Sequence, residues 1–216
     1  MIDMLRIVDR MLHPGANGGP TVVYRRDDCA SEWVTFSSLE FKAAILVGRW
    51  IWQRSHRAGR QDRDGWAGFQ RGRQPGKRHQ QLGSLAERIA AKGCHVYWPS
   101  AVDNFGDADL PHNIEVRLIG RDHYGLRVYP RTHDSRRVVG VVIPPGSERG
   151  DPPGSYRYRV AGWFLAGDAK RLGEERNWKM APHKRPPMYC VPQAELHSVR
   201  SLRYLIAEEE RGTANG

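Results

Sequence analysis

Three features of the 216-residue chain predict an α/β fold, a mixed β-sheet core flanked by helices. Residues 37–52 and 82–92 repeat apolar side chains at helical spacing. Four runs between residues 94 and 143 read as strands, divided by Asp, Asn, Gly and Pro clusters. One of these, Val138-Val139-Gly140-Val141-Val142-Ile143, lacks polar alternation, as a strand buried on both faces must. With 39% hydrophobic residues, a chain of this length supports one core. A single domain is therefore expected at 37–205, after an N-terminal helix and extension at 1–36 and before a flexible tail at 206–216.

Met1, Met4, Leu5, Val8, Met11 and Leu12 predict a short amphipathic helix, which the Pro14-Gly15 and Asn17-Gly18-Gly19-Pro20 segments terminate. Thr21 to Tyr24 is a brief β-branched stretch. A second helix is expected near Ser37-Ser38, where serine caps precede an acidic first turn with Glu40; Phe41, Ala44, Ile45, Gly48 and Trp52 form its inward stripe. Residues 53–81 change character: seven Arg and one Lys stand against two Asp, relieved by Trp66 and Phe69. This reads as a basic loop whose cations suit phosphates and whose aromatics suit bases. Its candidate contacts are Arg60, Arg71, Arg73, Lys77 and Arg78.

Leu82, Leu85, Ala86, Ile89 and Ala90 predict a helix ending at Gly93, with Glu87 at the edge of its buried stripe. Strands are expected at Cys94 to Trp98, Asn113 to Ile119, Tyr124 to Tyr129, Arg137 to Ile143 and, after a Pro/Gly-rich loop at 144–155, Tyr156 to Leu165. Asp168 is placed to cap a short turn. A last helix is expected to open at Pro192-Gln193, using Leu196, Val199, Leu202 and Leu205.

Thirty-four Lys and Arg against 24 Asp and Glu give a net charge of +10, and the isoelectric point is near 9.9. Clustered cations bind polyanions by releasing condensed counterions, so DNA is the expected partner. Lys170, Arg171, Lys179, Lys184 and Arg185 add a second basic cluster suited to a nucleic-acid backbone. Cys29, Cys94 and Cys190 are odd in number and far apart, which argues against a disulfide framework or a zinc knuckle and fits the cytoplasm. No apolar run approaches the length of a membrane span, and Asp3, Arg6 and Asp9 interrupt any signal-peptide core.

The chemistry is expected on the strand Asn113 to Ile119. Ile114, Val116 and Leu118 alternate with Glu115 and Arg117, so the pleat puts an acid and a cation on one face about 6 to 7 Å apart. Asp107 and Asp109 lie just upstream. A carboxylate from each segment could converge on a divalent cation, for which hard oxygen donors are the fitting ligands. A solvated Glu-x-Arg face or a local ion pair is the alternative.

The order of a helical Glu87, then Asp109, then Glu115-Val-Arg117 on a strand resembles the PD-(D/E)XK nuclease superfamily. More closely, residues 37–202 resemble a family of small phage proteins of uncharacterised function thought to belong to it. The resemblance rests on Gly83-Ser-Leu-Ala-Glu87, Ala108-Asp109, Ile114-Glu-Val-Arg117, Arg121-Asp-His-Tyr124, Tyr158-Arg-Val-Ala-Gly-Trp163, Gly167-Asp-Ala-Lys-Arg171, Arg185-Pro-Pro187 and Val191-Pro-Gln-Ala-Glu-Leu196. It implies a restriction-endonuclease-like core and a Mg2+- or Mn2+-dependent nuclease acting on DNA in a bacterial host cell. Asp109 and Glu115 would be metal ligands, Glu87 an additional carboxylate, and the Val116 carbonyl a further donor. Two positions depart from the pattern: Ala108 replaces a proline and Arg117 replaces the lysine. A guanidinium cannot act as a general base, so Arg117 would orient phosphate or stabilise charge. The alternative is a catalytically silent nuclease fold that binds DNA or a host defence complex; a structural phage protein is a third reading.

Overall fold

The computed structural model describes residues 13–14, 20–21, 31–57, 75–100, 107–120, 124–143, 156–175, 179–180 and 188–214. The expected helix at 1–12, most of the Thr21–Tyr24 stretch, Arg60, Arg71 and Arg73, and the 144–155 loop lie outside them. Two short strands, β1 (His13–Pro14) and β2 (Pro20–Thr21), pair antiparallel. The central sheet is mixed, with β3 (Glu32–Phe36), β7 (Tyr156–Leu165), β6 (Arg137–Val142) and β4 (Ile114–Ile119) in that spatial order. Its β4–β6 pair is parallel and the others antiparallel. A second sheet has the order β5 (Leu126–Val128), β9 (Met188–Val191), β8 (Lys179–Met180).

Helices α1 (Ser38–Arg57), α2 (Pro75–Cys94) and α4 (Val199–Ala214) contribute Phe41, Ala44, Leu85, Ile89, Val199, Leu202 and Ile206 to a core that also takes Val139 and Val141 of β6. Val138 and Val142 enter a second core with Leu126, Val128, Val191 and residues of α3 (Ala166–Glu175). The apolar run of β6 is thus buried on both faces, as its composition predicts. In β7, Tyr158, Val160 and Trp163 all serve the first core, although simple alternation would turn Trp163 away. The register shift between Gly140 and Val141, with Gly162 at φ 134°, inserts one residue and flips the later side chains.

Helix α1 starts with a reciprocal capping box: the Ser37 N–H donates to the Glu40 carboxylate (2.8 Å), and the Glu40 N–H donates to Ser37 Oγ (3.2 Å). It runs on to Arg57, and α2 begins at Pro75, so the expected basic loop at 53–81 is helical at both ends. Proline is accommodated in a first helical turn because that N–H has no intrahelical acceptor. Gly48 lets these helices touch, since a Cβ there would lie 2.5 Å from Gln81 Cα.

Several expected boundaries move. Gly93 does not stop α2; it remains helical beneath Val160, where a Cβ would sit 2.8 Å from Cγ2. His95 takes the left-handed conformation instead (φ 59°), and the Val96 N–H returns to the Ala91 carbonyl at 3.0 Å. Cys94 to Trp98 is consequently no strand. Residues 32–36, expected in an N-terminal extension, form sheet strand β3 in register with β7 along their length. Asp168 lies within the first turn of a ten-residue helix rather than capping a short turn. The last helix opens at Val199, because His197 must stay extended to exchange backbone hydrogen bonds with Trp163 (3.0 and 2.9 Å). It continues to Ala214, where a flexible tail was expected, with Ile206 buried and Glu209 bound by Arg137.

Candidate active site at the edge of the sheet

Strand β4 is an edge of the central sheet, and its two side-chain faces do different work. Ile114 and Val116 point into the helical core, whereas Ile119 belongs to the second core. Glu115 and Arg117 share the face of Ile119 by strand alternation. They form an ion pair, and the Arg117 guanidinium lies over the Tyr129 ring at 5.1 Å. Arg131 approaches the same ring at 5.8 Å.

Asp109 reaches the strand through a tight reversal. The Leu110 N–H donates to the Ile114 carbonyl (3.0 Å), while His112 and Asn113 both adopt positive φ (59° and 58°). Asn113 therefore precedes the strand that was expected to include it. The turn is held from outside: Asn113 donates to the Ser135 carbonyl (2.9 Å), and Arg137 donates to the His112 carbonyl (3.0 Å) while pairing with Glu209. The Asp109 carboxylate then accepts the Val116 N–H at 2.7 Å.

Glu87 comes from α2, on the opposite side of the strand from Arg117. Its carboxylate accepts the Trp98 indole N–H (3.4 Å), and Arg88 covers the Trp98 ring at 4.9 Å. Burial, then the charge of Asp109, push Glu87 up to about 8, with the Trp98 hydrogen bond opposing. Burial also raises Asp109, against the Val116 N–H and the charges of Arg117 and Arg136. Two carboxylates are therefore held together in a partly dry place, where a proton or a cation relieves their repulsion.

The structure thus brings Glu87 beside Asp109 and links Asp109 electrostatically to Arg117; Glu115 is engaged by Arg117. Among the described residues, no three His, Cys, Asp or Glu side chains form a group arranged around one ion. The Glu87–Asp109 pair nevertheless fits a hard divalent cation chemically, because such ions complete their shells with water and phosphate oxygens. Arg136, Trp98 and Tyr129 carry no functional signal in the sequence. Each acts through a tertiary contact, and no local spacing marks them.

Among the described residues, the expected nucleic-acid contacts lie on two helices, α2 and α3. Lys77, in the first turn of α2, lies over the Trp52 ring at 5.9 Å, and Trp52 stacks on His56. Arg78 is exposed on α2. Lys170 donates to the Thr132 carbonyl and pairs with Asp134 (2.6 Å), and Arg171 bridges Asp168 and Glu175, each at 3.4 Å. These two cations are partly neutralised by their own fold. No described helix is long and apolar enough to cross a membrane. The chain matches no model of a known protein family, no curated protein and no solved structure.

Proposed function

We propose that the chain is a metal-dependent nuclease that hydrolyses DNA phosphodiester bonds on a restriction-endonuclease-like core, of phage or prophage origin and acting in the host cytoplasm. The observation that carries this reading is the Glu87–Asp109 carboxylate pair at the edge of β4, with Arg117 and Arg136 acting on Asp109. A bound Mg2+ or Mn2+ would supply Lewis-acid polarisation of the phosphate and a more acidic water. The protein's own part is to hold that charge and orient the phosphate. The Val116 N–H fixes the Asp109 carboxylate against the strand, and Trp98 fixes Glu87. Arg117, stacked on Tyr129, offers a permanent cation for a phosphoryl oxygen and takes no proton from water.

The Glu115–Arg117 ion pair favours a second reading. A metal ligand already neutralised by its neighbour is what a silent nuclease fold would retain, one that binds DNA or a host defence complex without cutting. Incubation of supercoiled and linear DNA with Mg2+ or Mn2+ separates the two. The wild type should cleave, and Asp109→Ala and Glu115→Ala should each lose at least about a hundredfold in rate, the scale of one lost transition-state contact. Cleavage that persists in both variants rules out this site. An inert wild type that binds DNA in a salt-sensitive manner establishes the second reading.

A further inference from the structure

A different surface carries an inference that does not depend on cleavage. On edge strand β3, Val34 and Phe36 turn into the helical core, so Trp33 faces the other way and stays 54% exposed. Its surroundings are cationic. The Arg157 guanidinium lies over the Trp33 ring at 5.1 Å, and Arg159 is the directly paired cross-strand neighbour of Trp33 on β7. Cross-strand partners in an antiparallel pair have adjacent side chains on the same face.

The line then continues beyond the sheet. Arg159 donates to the Gln193 side-chain oxygen (2.9 Å), and the Gln193 amide donates to the Tyr124 carbonyl (2.7 Å). Tyr124 is exposed and has Arg127 over its ring at 6.0 Å. Arg157, Trp33, Arg159, Gln193, Tyr124 and Arg127 are therefore linked by successive contacts into one track, which joins three arginines and two exposed aromatic residues through Gln193 and the Tyr124 backbone carbonyl. It draws on β3, β7, β5 and the turn at Gln193–Glu195, four segments far apart in the chain.

We propose that this track binds single-stranded nucleic acid, with Trp33 and Tyr124 stacking on unpaired bases and Arg157, Arg159 and Arg127 meeting the phosphates. A half-open indole on a sheet edge has nothing to gain from a duplex, whose base faces are already stacked. Unpaired bases present those faces, and any base can use them. The guanidiniums supply the matching charge within a chain of net charge +10. Gln193 positions the track by joining its two halves.

Fluorescence anisotropy of a labelled oligothymidylate in EDTA, which removes cleavage from the readout, tests the assignment. The wild type should bind the single strand more tightly than the matching duplex. Trp33→Ala should weaken single-strand binding about tenfold, within the range for losing one stacked base, and Trp33→Phe should retain most of it. Arg157→Ala should lower the slope of log affinity against log salt by about 0.7, one phosphate contact on a single strand. Unchanged thermal midpoints keep these effects from being read as unfolding. Equal affinity for single strand and duplex with no effect of Trp33→Ala, no binding at all, or equal binding of polyglutamate would each overturn the track. Wild-type binding of this kind without any cleavage would overturn the nuclease reading and leave the track standing. Cleavage unaffected by Trp33→Ala in both rate and single-strand affinity would do the reverse.

Discussion

Glu87→Gln should raise stability at pH 8 by several kcal/mol and leave it nearly unchanged at pH 4.5. In the folded protein, burial and the neighbouring Asp109 hold Glu87 at about 8, against 4.5 for an ordinary glutamate. Between those values the native state keeps a proton that the unfolded chain releases. Stability therefore falls as pH rises through that window and levels off above it. The separation corresponds to about 5 kcal/mol at most, and to about 3 kcal/mol at pH 7. Glutamine removes the charge while its amide oxygen still accepts the Trp98 indole hydrogen bond, so the variant escapes the loss without opening a cavity. Urea unfolding from pH 4.5 to 8.5 measures this: the wild-type curve should fall and the variant's should stay comparatively flat. Parallel curves would show that Glu87 does not carry the proton. A second readout bears on the metal. Mn2+ added at pH 8 should raise the wild-type thermal midpoint and raise that of Glu87→Gln much less, because a cation relieves the same repulsion that the substitution abolishes.

The layered architecture is legible in the chain because apolar periodicity reports burial directly. Strand β7 falls on residues 156–165 as read from its alternation, and the unbroken aliphatic run of β6 is central because it is coated on both faces. Boundaries are less legible where a tertiary contact decides them. His197 is kept out of α4 by a backbone pair with Trp163, and His95 rather than Gly93 takes the left-handed position because Gly93 is needed helical beneath Val160. Strand β3 carries little sequence signal because three of its five side chains do nothing for the core, and Trp33 among them is open to solvent. The candidate site shows the same division. Glu87, Asp109, Glu115 and Arg117 stand out as residue types at suitable spacing. Their actual groupings depend on which face of β4 each approaches, and only the packing of α2 on one side and Tyr129 on the other determines that. The arginine track is the extreme case: apart from Arg157 and Arg159, which alternate along β7, its members come from segments with no shared local pattern.

Trp163→Ala should cost about 3 to 5 kcal/mol, enough to remove much of the roughly 5 to 15 kcal/mol that a domain ordinarily has. Trp163 is 2% exposed and fastens β7 to the start of α4. Its indole N–H donates to the Ser198 carbonyl and to Ser201 Oγ, both at 3.1 Å, and its ring lies against His197 at 5.0 Å. Ser198 in turn caps α4 by accepting the Ser201 N–H at 3.2 Å. Removing the ring leaves a cavity where helix and sheet meet, and polar groups arranged around the indole lose their donor. Trp163→Phe separates these terms. It keeps most of the ring, and the Ser198 carbonyl still accepts the Ser201 hydroxyl at 2.7 Å, so the loss should be near 1 to 2 kcal/mol. Chemical denaturation of the three proteins gives the comparison, and equal losses for Ala and Phe would place the contribution in the hydrogen bonds instead of the packing. The effect should extend to the candidate site. α4 supplies Glu209 to Arg137, and Arg137 holds the His112 carbonyl in the turn between Asp109 and Glu115. A loosened α4 therefore releases the turn that sets Asp109 against β4, and any DNA cleavage by folded Trp163→Ala should fall further than that of Trp163→Phe.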